Sequence, residues 1–66
     1  MNLIVNGKSY LHGGGGSVFA LLAEYRLRPE MTALMINGEV VRRSQWNGVR
    51  LSEGDVVELI VAAAGG

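Results

Sequence analysis

Polar and apolar residues alternate in short runs separated by turn signals. In "NLIVNGKSYLH" two apolar runs flank Asn6-Gly7, a pair that accepts positive φ at both central positions of a tight hairpin turn. Alternation puts Leu3 and Val5 on one side of the first strand and Ile4 on the other. The stretch "GGGG" at Gly13–Gly16 suits no regular element and predicts a flexible loop. After it the period changes: Val18, Leu21, Leu22 and Tyr25 fall at i, i+3, i+4 and i+7, one helical stripe. Ser17 is placed as its N-cap. Arg26 and Arg28 complement the helix dipole near the C-terminal end, and Pro29 is expected to end the helix. "TALMI" and "EVV" form a second hairpin about Asn37-Gly38, with Leu34 and Ile36 on one face. "RRSQW" is a loop or single helical turn, "VRL" a short extended segment and "SEGD" a turn. In "VVELIV", Val57, Leu59 and Val61 share one face, while Val56, Glu58 and Ile60 share the other.

Hairpin, helix, hairpin, short crossing and final strand make an α+β chain of the β-grasp (ubiquitin-like) kind. One main helix covers one face of a four- to five-stranded mixed sheet. The last strand is apolar on both faces apart from Glu58, which makes it central. We place it beside the first strand and parallel to it. Residues 1–61 form the domain, and residues 62–66 a flexible tail ending in Gly-Gly.

Composition narrows the function. Six basic and six acidic side chains cancel, and Lys8 is the only lysine, so no basic patch for nucleic acid is expected. No apolar run approaches membrane-spanning length and the start lacks signal-peptide character, so a cytoplasmic location without membrane partners is expected. Cysteine is absent, which removes thiolate chemistry and cysteine metal sites. The four glycines are not followed by the Lys-Ser or Lys-Thr of a phosphate-binding loop. His12 is expected at a strand end in solvent, with no second histidine to share a metal. Glu53 and Asp55 flank Gly54 in a turn with a side-chain bond of the Asx type, in preference to an acid pair. Arg42-Arg43 is either a solvated loop or a contact for an acidic surface, and Trp46 is a packing residue. Nothing here assembles a nucleophile, a base and an oxyanion site, so catalytic residues and metal ligands are both assigned as none.

Two features remain. Ile4, Met35, Val56 and Ile60 face away from the helix and form an apolar patch, a candidate partner-docking surface. The chain ends "AAAGG" directly after the central strand. Five residues reach about 16–18 Å when extended, and Gly65 and Gly66 have no side chains to block a narrow passage. The tail is expected to act as a carboxylate on a slim arm.

The segments "ALMINGEVVRRSQW" and "EGDVVELI" and the terminal "GG" resemble the thiamine-biosynthesis sulfur carrier family, ThiS, over nearly the whole chain. Arg42 stands where that family often has proline, and the Gly13–Gly16 loop is richer in glycine than usual. The resemblance implies a co-substrate and not an enzyme. An adenylyltransferase of the ubiquitin-activating type, using ATP and Mg²⁺, would adenylate Gly66. A persulfide sulfur donor would convert it to a thiocarboxylate, and thiazole synthase would accept Gly65 and Ala64 of the tail and take the sulfur. The chain itself would bind no cofactor. A carrier for molybdopterin or cysteine synthesis shares the same physics, and a ubiquitin-like modifier of lysines is the alternative from another class.

Overall fold

The two Asn-Gly pairs set the sheet. In a computed structural model, which describes residues 1–62, Asn6 and Asn37 have φ of 51° and 50°, followed by Gly7 at 82° and Gly38 at 84°. Both turns therefore carry the twist that matches paired strands. The first closes β1 (Asn2–Val5) onto β2 (Lys8–Leu11), with Val5 opposite Lys8. The second closes β3 (Thr32–Ile36) onto β4 (Glu39–Val41), with Ile36 opposite Glu39. The last strand, β5 (Val56–Val61), lies between the hairpins, parallel to β1 and antiparallel to β3. The order β2-β1-β5-β3-β4 makes one five-stranded mixed sheet with the final strand at its centre, as its two-sided apolar pattern requires.

The turn asparagines also act as acceptors. Asn6 Oδ1 accepts the Leu59 N–H at 2.8 Å, and Asn37 Oδ1 accepts the Val56 N–H at 2.9 Å. Asn37 Nδ2 donates to Asp55 Oδ1 at 3.1 Å. Each hairpin tip thus holds a backbone donor at or within the central strand.

One face of the sheet is covered by α1 (Val18–Glu24), whose Val18, Leu21 and Leu22 are buried. They pack with Leu3, Val5, Leu34, Val57 and Leu59 from the sheet, and with Trp46 and Leu51. Ser17 caps the helix, its Oγ accepting the Ala20 N–H at 3.2 Å. Trp46 lies in the 3₁₀ segment Arg43–Gly48, donates from Nε1 to the Val41 carbonyl at 2.9 Å and meets the Phe19 ring edge-on at 5.5 Å. It is a core residue with a satisfied polar atom.

Three expectations change. The helix does not run to Pro29: it ends at Glu24, with Tyr25 as its C-cap. Arg26 is in the left-handed region at φ 56°. The Leu27 N–H reaches the Leu22 carbonyl at 2.9 Å and the Arg26 N–H reaches that of Ala23 at 3.0 Å. This is a Schellman stop, usually built on glycine but here on arginine. Pro29 opens a separate 3₁₀ turn, Pro29–Met31.

The glycine stretch is not a free loop but a turn folded against the core. The Gly13 N–H donates to Glu24 Oε2 at 3.0 Å and the Gly16 N–H to His12 Nε2 at 3.0 Å. Gly14 sits so close to α1 that a Cβ there would stand 2.4 Å from Ala20 Cβ.

His12 is not in solvent. Its exposure is 1%, and the ring lies beneath that turn. Because Nε2 accepts from Gly16, the ring proton belongs on Nδ1, which donates to Glu24 Oε1 at 2.9 Å.

Candidate functional site

The open face of the sheet carries every patch residue expected from alternation. Ile4 and Val56 are direct neighbours in the β1–β5 pair. Ile60 lies opposite Ala33, and Met35 lies opposite Glu58 on one side and Val40 on the other. Ile4, Val56 and Ile60 are exposed, and Met35 is half-buried. Val56 and Ile60 are about 13 Å apart along β5 at the usual strand rise. Glu58, also exposed, interrupts the apolar row between them. The surface therefore has an Ile4–Val56 part and an Ile60–Ala33–Met35 part on either side of one carboxylate. Val40 extends the second part and is 70% exposed. Sequence reasoning missed it, although the signal was present: a two-residue turn at Asn37-Gly38 pairs residue 36 with 39 and so places Val40 beside Met35 on the outer face.

The last strand delivers the chain to one end of the sheet. Val61 shares the inner face with Val57 and Leu59 but is 50% exposed, because α1 stops before reaching it. The Ala62 N–H donates to the Met31 carbonyl at 2.8 Å, which fixes where the chain leaves the body. A depression of about 370 Å³ lies on the helix side of this exit, lined by Arg26, Leu27, Arg28, Met31, Val61 and Ala62. A second, of about 300 Å³, lies on the open-face side and is lined by Glu30, Thr32, Ala33 and Ile60 among others. Ala64, Gly65 and Gly66, the residues singled out in the tail, lie outside the described residues.

The titratable groups act in the scaffold. Burial alone would raise the Glu24 carboxyl, but hydrogen bonds from His12, Tyr10 and Gly13 outweigh it and hold the group below its ordinary range. Its partner Tyr10, donating to Glu24 Oε1 at 2.8 Å, is pushed up to about 12 by that bond. Glu53 is lowered chiefly by the Asn2 N–H, which it accepts at 2.9 Å. "SEGD" is a turn, as the sequence suggested, but its side-chain bonds are not of the Asx type: Asp55 Oδ2 accepts the N–H of Ser52, three residues back, at 2.9 Å, and Glu53 ties the turn to β1 through Asn2. Among the described residues, no group of three or more His, Cys, Asp and Glu side chains is arranged to hold a metal ion. No helix among them is long and apolar enough to cross a membrane.

A mixed five-stranded sheet closed by one helix, with its last strand in the centre leading straight to an exit, defines a β-grasp protein. The ThiS family model matches residues 3–66, and the chain belongs to that family. It is similar to the crystal structure of the thiamine biosynthesis protein ThiS from Geobacter metallireducens. Identity is 33%, both chains are covered in full and the TM-score is 0.80. It is equally similar to the NMR solution structure of a thiamine biosynthesis protein from that organism, with 33% identity and a TM-score of 0.80. There, all of this chain and 88% of the other are covered. No curated protein matches the chain.

Proposed function

We propose that the chain is a sulfur carrier for thiamine biosynthesis, a protein co-substrate whose working group is the Gly66 carboxylate. The observation that carries this reading is membership of the ThiS family along the chain, with full-length similarity to a named thiamine biosynthesis protein. The β5 strand adds a physical reason, since a rigid body that aims its last strand at an exit suits the delivery of an arm.

A carboxylate is a poor acyl donor. In the proposed cycle, an adenylyltransferase of the ubiquitin-activating type uses ATP and Mg²⁺. A Gly66 carboxylate oxygen attacks the α-phosphate, pyrophosphate leaves, and an acyl-adenylate results. A persulfide from the sulfur donor attacks the activated carbonyl and displaces AMP. A thiol then attacks the acyl disulfide so formed, yielding a disulfide between the two thiols and the Gly66 thiocarboxylate. Thiazole synthase receives the arm and incorporates that sulfur into the thiazole ring. The chain supplies docking through Ile4, Met35, Val56 and Ile60, and reach through Ala64 and Gly65. Its partners supply the acid–base and metal chemistry. All these steps suit a cytoplasmic protein.

ATP–pyrophosphate exchange by the activating enzyme tests the first step. Exchange is expected to depend on the chain and to vanish when one residue is added beyond Gly66, because the carboxylate is displaced. Exchange that is indifferent to the added residue would overturn the assignment of Gly66.

A further inference from the structure

We infer that the depression beside the arm's root is a second docking site. Its occupant is an acidic, partly apolar segment bordering the passage through which the activating enzyme receives the arm. The inference rests on the carrier reading and adds a recognition element to it.

Three observations converge on this depression. Its floor is apolar, formed by Leu27, Met31, Val61 and Ala62, and Val61 stays half-exposed where α1 has ended. Two exposed arginines, Arg26 and Arg28, also line the depression, and among the described residues neither has an ion pair or a side-chain hydrogen bond. Arg50, by contrast, is engaged with the Gly15 carbonyl at 3.1 Å. Finally, Arg26 occupies the helix-stop position at φ 56°, where glycine is the unstrained residue. A strained conformation that holds an unpaired cation at the edge of an apolar groove points to a use for the side chain.

Charge complementarity identifies the occupant. Paired guanidinium groups bind carboxylates in bidentate fashion, and an aliphatic side chain between two carboxylates would fill the apolar floor. The position supports the same answer. The Ala62–Met31 hydrogen bond fixes the arm's root at this groove, so an enzyme that takes up the residues beyond Ala62 brings the rim of its passage against it.

The test uses the complete chain and the activating enzyme, with dissociation constants measured at low and high salt. Arg26→Gly relieves strain and should melt at a higher temperature while binding more weakly, and that opposition separates recognition from folding. Arg26→Gly and Arg28→Gln should each weaken binding about tenfold and flatten its salt dependence. Lys8→Gln, on the edge strand β2 two strands from β5 and outside the groove's lining, should leave both unchanged. Wild-type affinity in the two arginine variants would overturn the inference, as would an equal loss in Lys8→Gln. Tighter binding by Arg26→Gly would instead assign the groove to the chain's own last residues. A wild-type dimer that Arg26→Gly dissociates would assign it to a second copy, and either result overturns the proposal. The carrier reading fails on a different readout: if the wild-type chain is bound but never adenylated, that reading falls and the inference falls with it.

Discussion

The buried imidazole of His12 joins strand, glycine turn and helix through two bonds, from Nδ1 to Glu24 and from Gly16 to Nε2. His12→Leu keeps the volume but strands the Gly16 N–H and loosens Glu24. We expect a loss of about 2–3 kcal/mol, read as a lower urea midpoint with an unchanged slope. Gly14 is fixed by close approach, since a Cβ would also stand 2.7 Å from His12 Cε1. Gly14→Ala should cost about 1–3 kcal/mol by the same measurement. Arg26→Gly should act in the opposite direction, adding about 1 kcal/mol and raising the melting temperature by roughly 4–8 °C. Glu24 and Glu53 both titrate below the ordinary 4.5 in the folded state. Their contribution is therefore fully present above the unfolded value and is lost as pH falls through the lowered ones. The urea midpoint should hold down to about pH 5 and drop below it, and Glu24→Gln should flatten that acid limb. Tyr10 has the reverse sign, its contribution being complete below pH 10 and lost as pH rises through about 12.

At the scale of elements, the hairpin tips do more than turn the chain. Asn6→Gly keeps the positive φ but deletes the acceptor for the Leu59 N–H, so it should cost about 1–2 kcal/mol. Asn6→Asp, which retains an oxygen there, should cost clearly less in thermal unfolding. The strands, their faces and the central place of β5 were legible because alternation and the Asn-Gly pairs are local signals. The helix end was not legible. Its stop is an arginine in a glycine conformation, whereas Pro29, the visible breaker, begins the next turn. The burial of His12 was hidden for a related reason. Its partner Glu24 lies twelve residues away, and only the docking of α1 brings the two together.

For the whole molecule, the closed face holds the buried core and the open face keeps the apolar residues that alternation assigned to it. The positions of Ile4, Met35, Val56 and Ile60 could be read in the sequence. Their division by Glu58 and extension by Val40 required the register. The groove at the arm's root depends on where α1 stops, so no sequence pattern announced it. Ile60→Asp should weaken binding to the activating enzyme without unfolding the chain, and an unchanged dissociation constant would exclude the open face from docking. Gly65→Val should leave the fold intact while slowing sulfur acceptance, and a normal rate would refute the narrow-passage argument. The carrier reading itself is tested most directly by intact mass. The complete chain is incubated with the activating enzyme, ATP, Mg²⁺ and a persulfide donor, then weighed and fragmented. Replacement of one oxygen by sulfur, localised to Gly66, is the expected result. An unchanged mass, or covalent attachment of the chain to lysines of other proteins, would contradict it.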